Sequence, residues 1–467
     1  MKRTILISAG ILVFIIGIIA IPVYEPGYQQ SAAVNYQKFC AGCHGANLEK
    51  FAAKKWMEEE GTATAFMSIK SGIEDIGMPA FQKTFNDSEI EALAAYVKKG
   101  IPEDKSLLKP AVTLQGVTDS EVQKFVIETV VTGMKVPWGL VFLPNGDLLI
   151  SERDGTLHRF SKGKLGPPIE GLPPIMAFGQ GGLLDLVLHP DYEKNGWIYI
   201  SYSALNTESK KRIGNTAILR AKLQGNKLTD QQPIYKGVPD TDRGHHFGIK
   251  MAFDGKGHLY FGNGERGQHF DFPQKLDNSN GKIHRLNDDG SIPKDNPFYN
   301  TPGAIKSIYS YGHRNPQGTS FHPVTGELWV SEHGPRGGDE LNIIKPGANY
   351  GWPVISYGIN YDGTILTKLT EKEGMEQPVF YWTPSIGPCG MTFVTGDRYK
   401  NWRNNLLVGS LSFQYLERVV LNNRSVMHRE KLLEGMGRVR NVVMGPDGFI
   451  YVGLETPGRI VRLVPIE

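Results

Sequence analysis

The chain has 467 residues, of which 21% are charged and 40% hydrophobic, so it is globular rather than disordered and long enough for two or three domains. A formal net charge of +3 is small for this length and gives no reason to expect nucleic acid as a partner. High counts of Gly (55) and Pro (29) favour a turn-rich β fold, and three cysteines are too few for a disulfide framework.

An apolar segment without charges occupies residues 5–23, directly after Lys2 and Arg3. It is long enough to cross the roughly 30 Å hydrocarbon core of a bilayer as a helix. A cleaved signal peptide is the alternative, although its apolar core usually has about 7–15 residues. We predict a signal anchor or signal peptide over residues 1–24. Either would export the rest of the chain to the periplasm or the outer face of the cytoplasmic membrane.

The motif Cys40-Ala41-Gly42-Cys43-His44 is typical of the covalent attachment site of a c-type haem. The two thiols would bind the porphyrin, and His44 would bind the iron. A redox dithiol or half of a zinc site is the alternative. The histidine next to Cys43 and the lack of a second CxxC motif argue for haem c.

Residues 33–102 are predicted to form one small helical domain around this haem, and they resemble class I cytochrome c domains. A helix begins after Asn86, which forms a capping box with Glu89.

Met78 is the predicted second axial ligand of the haem iron. It stands before Pro79 in an irregular segment where the backbone can approach the iron, and a thioether ligand suits electron transfer. Met57 and Met67 are alternatives, but they stand in a segment with helical character.

Residues 103–124 show no clear apolar period and are predicted to be a linker. From there on, a strand, a turn rich in Pro, Asp or Gly and a second strand recur six times. This repetition predicts a six-bladed β-propeller over residues 125–467. The fold class is therefore mainly β, with a small all-α cytochrome c domain and an N-terminal apolar helix in front. The six units contain the phrases VPWGL, GGLLD, GIKMA, PQGTS, CGMTF and RVRNV.

The phrase YFGNGERG satisfies the dinucleotide-binding pattern GxGxxG with Gly262, Gly264 and Gly267. That fingerprint also requires a helix to begin there, and the following residues do not read as a helix start. We therefore interpret the phrase as a turn of a blade.

Four polar stretches of the sequence stand beside predicted strand ends in the propeller, and two of them supply the candidate arginines. Guanidinium groups match carboxylates in bidentate fashion, so these arginines predict a pocket for a polyanionic and planar ligand. A histidine beside such a pocket can accept a proton near neutral pH. For each arginine taken singly, a surface ion pair is the alternative. The residues are Gln180, His245, His246, Arg314, Asn315, Arg438 and Arg440.

From about Phe125 to its end, the chain resembles the PQQ-dependent soluble glucose dehydrogenases and aldose sugar dehydrogenases, the glucose/sorbosone dehydrogenase family. The resemblance rests on the phrases GQGGLLDLVLHPDY, YGHRNPQG, SEHGPRGGDELNIIKPGANYGWP and RVRNVVMGPDGFIYVG. It implies a six-bladed propeller, in agreement with the repeat count. It also implies oxidation of an aldose at C1, with hydride transfer to the quinone cofactor PQQ.

The resemblance further implies roles for individual residues. The catalytic residues correspond to His246 as the base, with His245 as its neighbour, and to Arg314. The PQQ contacts correspond to Gln180, Arg314, Asn315, Arg438 and Arg440. The ligands of a cofactor-linked Ca²⁺ correspond to the carbonyls of Gly334 and Pro335, and those of a structural Ca²⁺ to Glu340 and Tyr350.

The chain departs from the family pattern at two positions. Ser412 stands where the family usually has a lysine that reaches the cofactor, so the pocket lacks one cation. Arg418 and Lys400 are nearby in sequence, but no motif places them in the pocket. Cys389 stands where a serine is common, and we expect it to be a small buried group.

These observations predict a quinohaemoprotein sugar dehydrogenase with PQQ, haem c and Ca²⁺. Electrons from the sugar would pass one at a time through the haem to a soluble cytochrome or a membrane electron-transport acceptor, with the protein attached to the membrane by its N-terminal helix. A non-catalytic propeller that binds a carbohydrate or a protein, with the haem as redox sensor, is the alternative. Oxidation of a non-sugar alcohol with the same cofactor is a third possibility.

Overall fold

Six antiparallel sheets make up most of the computed structural model, which describes residues 31–44, 61–73, 78–99, 116–267 and 270–466. Five of these sheets have four strands and the sixth has five. Each four-stranded sheet is built from consecutive strands, as in the blades of a propeller. The prediction of a mainly β, six-bladed propeller is therefore confirmed.

Each of the six repeat units supplies the first two strands of one blade, and the first strands of neighbouring blades pack against one another around the axis. The last blade combines β23, β24 and β25 with β2 and β1. The strands are β1 (Val117–Thr118), β2 (Phe125–Met134), β3 (Pro137–Phe142), β4 (Leu148–Glu152), β5 (Thr156–Ser161), β6 (Lys164–Leu165), β7 (Leu183–Leu188), β8 (Ile198–Leu205), β9 (Gly214–Gln224), β10 (Lys227–Lys236), β11 (Met251–Phe253), β12 (His258–Asn263), β13 (Lys282–Asn287), β14 (Ile308–Tyr311), β15 (Pro316–Phe321), β16 (Leu328–Glu332), β17 (Asp339–Ile343), β18 (Phe380–Trp382), β19 (Pro388–Phe393), β20 (Leu406–Ser410), β21 (Tyr415–Asn422), β22 (Ser425–Leu432), β23 (Arg438–Met444), β24 (Ile450–Glu455) and β25 (Gly458–Pro465).

The propeller closes by pairing an early strand with the last one. Strand β2 lies between β1 and β25, with Phe125 opposite Pro465 and Met134 opposite Gly458. This pairing joins the two ends of the propeller within one blade and covers the edge of its last strand.

Hydrophobic side chains fill the space between neighbouring blades. Strands β4, β16, β20 and β24 are buried at every position, because each has a neighbouring blade on both of its faces. Six buried clusters lie between the blades, one at each interface; Trp329 of β16 and Val408 of β20, for example, belong to the same cluster. Full burial of one such aliphatic side chain contributes about 1.5–3 kcal/mol, so this packing fixes the ring of blades.

The N-terminal part of the described chain is helical. A separate buried core, which includes Tyr36, Phe81, Ile90 and Leu93, holds its helices together. The predicted capping box is present, since the backbone N–H of Glu89 donates to Asn86 Oδ1 at 2.9 Å and that of Asn86 donates to Glu89 Oε2 at 3.0 Å. The helices are α1 (Ala32–Asn35), a π-helical turn (Tyr36–Cys40), α2 (Ala41–His44), α3 (Gly61–Ser71) and α4 (Asp87–Lys99), with one short helix in the propeller, α5 (Tyr192–Asn195).

Two predicted segments lie wholly or partly outside the described residues. The signal anchor or signal peptide of residues 1–24 lies outside them, and no helix within them is long and apolar enough to cross a membrane. Of the predicted linker 103–124, the structure describes residues 116–124. There, Val117 and Thr118 form β1 and pair with β2, so this part of the segment joins the last blade.

Candidate active site

One end of the propeller gathers the polar residues singled out in the sequence. Because the strands are antiparallel, the first strand of a blade begins where the second strand ends. The registers show this directly, with Pro316 opposite Glu332 and Arg438 opposite Glu455. The predicted site residues precede or begin first strands or follow second strands, so this end of the fold gathers Gln180, His246, Arg314, Gly334, Arg438 and Arg440.

His246 and Glu265 form a buried pair at this end. His246 precedes β11 and has a φ of +56°, which few residues other than glycine adopt. The Gln180 side chain holds this backbone, because its Oε1 accepts the His246 N–H at 2.9 Å. The imidazole Nδ1 lies 2.7 Å from Glu265 Oε2. With Nδ1–H donating to the carboxylate, Nε2 is left as a proton acceptor, which is the arrangement of a general base and its orienting group.

Burial determines the charge state of this pair. The exposed fractions are 8% for His246 and 1% for Glu265. Burial, assisted by Arg314 and Arg266, lowers the pKa of His246 well below its usual value, and burial raises the pKa of Glu265. The imidazole is therefore neutral near pH 7, the form that can accept a proton.

The neighbouring His245 lacks such an orienting partner. Burial and the adjacent His246 lower its pKa to about 3. Its Nδ1 is buried and has no hydrogen-bond partner among the described residues. Of the two histidines, only His246 therefore has the geometry of a base.

Arg314 connects the histidine pair to the next blade. Its carbonyl accepts the Glu265 N–H at 2.9 Å, and its Nη1 donates to the Gly334 carbonyl at 2.6 Å. Its Nε is buried without a hydrogen-bond partner among the described residues. A buried guanidinium N–H without a partner costs free energy, so this position fits a ligand that carries a carbonyl or a carboxylate.

Asn315 is fully buried and supports the loop that carries His246. Its Oδ1 accepts the Gly248 N–H at 3.1 Å, and its Nδ2 lies 3.4 Å from His333 Nδ1. This side chain therefore fixes the backbone next to the base, and its contact with the cofactor stays a prediction.

A second group of cations surrounds Glu455 at the end of β24. Arg438 Nε and Arg440 Nε donate to the two oxygens of this carboxylate at 3.0 and 2.5 Å. Arg153, which follows β4, lies close enough that Arg440 and Arg438 add to the effect of burial and lower its pKa, while Glu455 opposes them. Three guanidinium groups around one carboxylate leave excess positive charge, which suits a polyanionic ligand.

The two positions that depart from the family pattern lie beside these arginines. Ser412 follows β20 at the same end and is 8% exposed, and the carbonyl of the preceding Leu411 accepts a hydrogen bond from Arg438 Nη1 at 2.9 Å. Cys389 is fully buried, as expected, and its Sγ lies 3.2 Å from Arg440 Nη1. The Cys389 side chain therefore contributes to the surroundings of the cation group.

The two cations considered from the sequence as substitutes for the missing lysine have other surroundings. Arg418 is paired with Glu430, with 2.6 Å between Nε and Oε2, and Lys400 is exposed in a 3₁₀ turn. Arg153 is the additional cation that the structure brings to the pocket.

The carbonyls predicted to bind the cofactor-linked Ca²⁺ lie directly after β16. Gly334 O accepts the hydrogen bond from Arg314, and Pro335 O accepts one from Ser385 Oγ at 2.8 Å. Each carbonyl keeps a second lone pair, so both still fit a hard cation. Among the described residues, no group of three or more His, Cys, Asp or Glu side chains is placed to hold a metal.

Glu340 lies on β17 and Tyr350 in the loop after it, and their binding of a second Ca²⁺ stays a prediction. Burial and the neighbouring Glu332 carboxylate raise the pKa of Glu340 to about 8. The Tyr350 hydroxyl donates to the Ile343 carbonyl at 2.6 Å and accepts the Lys345 N–H at 2.9 Å.

Two glycines of YFGNGERG leave room for the loop that carries His245 and His246. A Cβ at Gly264 would collide with the His246 carbonyl, and one at Gly267 would collide with the His245 ring. The described residues 264–267 form a turn after β12 and no helix, which agrees with the interpretation as a blade turn.

In the helical part, Cys40 and Met78 are both partly buried against one hydrophobic core. Both side chains pack against the core that also contains Phe81. Met67 is 54% exposed, which argues against it as an iron ligand, and Met57 lies outside the described residues. The side chain of Cys43 is not among the described ones. His44 ends α2.

Comparison with known proteins identifies the two parts of the chain. Residues 134–462 match the family described as Glucose / Sorbosone dehydrogenase. The chain belongs to this family. Residues 29–97 match the family described as Cytochrome C oxidase, cbb3-type, subunit III, so a cytochrome c domain precedes the sugar dehydrogenase domain.

Three relatives of the sugar dehydrogenase domain are informative. The chain is 41% identical to the aldose sugar dehydrogenase YliI of Escherichia coli, over 70% of this chain and 90% of that protein. It is 29% identical to quinoprotein glucose dehydrogenase B of Acinetobacter calcoaceticus, over 73% of this chain and 87% of the relative. The PQQ-bound structure of an aldose sugar dehydrogenase from Streptomyces coelicolor superposes with a TM-score of 0.59 at 30% identity, covering 74% of this chain and 99% of that one.

Three residues of this site were not found from the sequence. Glu265 stands inside the GxGxxG pattern, which predicts no role for a carboxylate. It nevertheless follows a strand end, like the other site residues. Arg153 also follows a second strand, and Glu455 is the last residue of one. The position shared by these three residues was the signal that could have found them.

Proposed function

We propose that this chain is a PQQ-dependent dehydrogenase that oxidises an aldose at C1 and passes the electrons through its covalently bound haem c to an external acceptor. The observation that carries the proposal is the buried pair of His246 and Glu265 next to a group of arginines. A base beside a cationic pocket suits the removal of a hydroxyl proton next to an anionic cofactor. The names of the relatives point to sugars as substrates and to PQQ as the cofactor.

The pocket fits a planar ligand with several carboxylates. The unpartnered Nε of Arg314 and the excess charge around Glu455 would be satisfied by such a ligand. Gln180 and Asn315 would complete the binding site, and Ca²⁺ at the Gly334 and Pro335 carbonyls would balance further negative charge. When bound, PQQ supplies the centre that accepts a hydride.

The residues of the chain supply the proton chemistry. His246 Nε2 takes the proton of the sugar C1 hydroxyl, and the resulting imidazolium keeps its hydrogen bond to Glu265. The carboxylate thereby stabilises the charge that develops during the reaction. Arg314, held by Gly334, offers its free Nε to the negative charge that develops in the pocket.

The cytochrome domain supports an electron path that ends outside the chain. Cys40 and Met78 pack against one core, where they would provide a thioether site and an axial ligand for a c-type haem. The haem would accept electrons singly and deliver them to a soluble cytochrome or a membrane acceptor. The N-terminal apolar segment supports export to the periplasmic side and attachment to the membrane.

The absorption spectrum of the haem tests this proposal. The full chain is reconstituted with PQQ and Ca²⁺ and mixed with a panel of aldoses and, separately, non-sugar alcohols. We expect aldoses to reduce the haem, and we expect the His246→Ala variant to reduce it at least about 100-fold more slowly. Reduction by alcohols alone would overturn the sugar assignment. No reduction by any substrate, with sugar still bound, would favour the non-catalytic propeller.

A further inference from the structure

The ring of Phe39 faces the propeller from the haem-bearing helix. Phe39 directly precedes Cys40, the first cysteine of the haem motif. The guanidinium carbon of Arg336 lies 4.0 Å from the centre of its ring, well within the range of a cation–π contact. The ring also packs edge-to-face with Phe85, with 4.9 Å between the ring centres, so the cytochrome core fixes its orientation.

A second contact joins the same two parts of the chain. Thr84 Oγ1 donates a hydrogen bond of 2.6 Å to the Asp362 carbonyl. The next residue, Gly363, has a φ of +86°, and a Cβ there would lie 3.6 Å from the Phe39 ring. The cytochrome domain therefore touches two loops of the propeller, one at Arg336 and one at residues 362–363.

These two propeller loops form one surface, which we call the docking surface and define as residues 335–338 and 358–363. Arg336 and Ile359 exchange both backbone hydrogen bonds, at 2.9 and 3.0 Å. Gly338 has a φ of +69°, and a Cβ there would lie 2.5 Å from Gly358 N, so only glycine permits this approach. The position of Arg336 is thus set by the propeller itself.

Two observations separate Arg336 from an ordinary surface arginine. No ion pair of its side chain is found in the part of the chain that the structure describes, although the residue is partly buried. Arg336 also follows Gly334 and Pro335 directly, and Gly334 O holds the Arg314 guanidinium. The same short loop therefore contacts the candidate active site at one end and the haem-bearing helix at the other.

We propose that the docking surface seats the chain's own haem-bearing helix for electron transfer from the sugar site, with Arg336 as the docking residue and Phe39 as its partner. This inference rests on the proposed function. Oxidation of one sugar leaves two electrons and two protons on the reduced cofactor. The electrons leave singly, each reducing one ferric haem to ferrous, and the protons go to solvent. A one-electron acceptor of the cytochrome or dye class reoxidises the haem between the two transfers.

Stopped-flow reduction of the haem by sugar, in the full chain loaded with PQQ and Ca²⁺, tests the proposal. Loss of the cation–π contact in Arg336→Ala should lower the docked fraction and slow haem reduction about fivefold. Phe39→Leu should slow it similarly, and the double variant should be no slower than either single variant. Arg336→Lys keeps a cation and should lie between wild type and Arg336→Ala. Sugar oxidation with phenazine methosulfate, which takes electrons without the haem, should be unchanged in all of these variants.

Arg398→Ala is the matched control, because Arg398 also covers a phenyl ring, that of Phe449 at 3.9 Å, but away from the docking surface. It should leave both rates unchanged. An unchanged rate of haem reduction in Arg336→Ala, with dye-linked activity present, would overturn the docking proposal alone. A rate that rises with protein concentration would also overturn it, since the haem would then be reduced by another copy. Absence of dye-linked activity in the wild type would overturn the proposed function instead.

Discussion

Replacement of Glu265 by Gln is the sharpest test of the proposed base. The carboxylate lies 2.7 Å from His246 Nδ1 and is 1% exposed, so no water can replace it easily. Glutamine keeps the shape and one hydrogen bond but removes the negative charge beside the developing imidazolium. Hydrogen bonds to charged groups contribute about 1.5–3 kcal/mol. At about 1.4 kcal/mol for each factor of ten, kcat should therefore fall about 10- to 100-fold.

The assay is steady-state sugar oxidation with an artificial dye, measured from pH 5 to 9 on PQQ-loaded protein. Because burial and Arg314 hold the pKa of His246 well below its usual value, the base is unprotonated through neutral pH. The wild-type kcat/KM should therefore be flat at neutral pH and fall only in acid, as the imidazole becomes protonated. The Gln variant should be slower at every pH, with KM for sugar little changed.

Asp254→Asn is the matched control for this experiment. Asp254 lies 2.7 Å from His258 Nδ1 in the turn between β11 and β12, at the opposite end of the same blade. Its neutralisation should leave the rate unchanged. If Glu265→Gln were as active as this control, Glu265 would have no part in catalysis. A wild-type rate that climbed steadily from pH 6 to 8 would contradict the lowered pKa of the base.

Three further predictions concern single side chains. His246→Ala should lower turnover about 100-fold or more while PQQ still binds. His245→Ala should lower turnover less, because the His245 ring has no orienting carboxylate. Equal losses of turnover in dye-linked assays would contradict the assignment of His246 as the base. Met78→Ala should lower the reduction potential of the haem, measured by spectroelectrochemistry, and an unchanged potential would exclude Met78 as the ligand. Ser412→Lys should tighten PQQ binding roughly tenfold in a titration of apoprotein at fixed Ca²⁺, and Arg153→Gln should weaken PQQ binding by a similar factor. If Ser412→Lys leaves the affinity unchanged, Arg153 already supplies the charge of the missing lysine.

The propeller was predictable because each repeat unit is a short local pattern in the sequence. Each unit carries a strand, a turn with Gly or Pro and a second strand, and these become the first two strands of each blade. The closure of the ring was not predictable in this way. Strand β2 lies more than 300 residues before its partner β25, as the pairing of Phe125 with Pro465 shows, and a pairing over that separation leaves no local pattern.

The candidate site was predictable where a sequence motif contains its residues and not where the partners come from different loops. His246 and Arg314 stand in recognisable phrases, but their contacts with Glu265 depend on the approach of separate loops. Buried ion pairs of this kind have no sequence spacing. Arg418 illustrates the reverse error, since its closeness in sequence suggested the pocket, whereas pairing with Glu430 holds it elsewhere.

If the pocket binds a polyanion as proposed, its charge balance compensates for the serine that stands in place of the usual lysine. A lysine at position 412 would add one charge beside Arg438. Arg153 adds one charge to the same group from the neighbouring blade, and burial near Arg440 and Arg438 makes that charge costly while the pocket is empty. A ligand with carboxylates would relieve this repulsion on binding. Neutralising Arg153 should therefore loosen the ligand while making the empty pocket more stable.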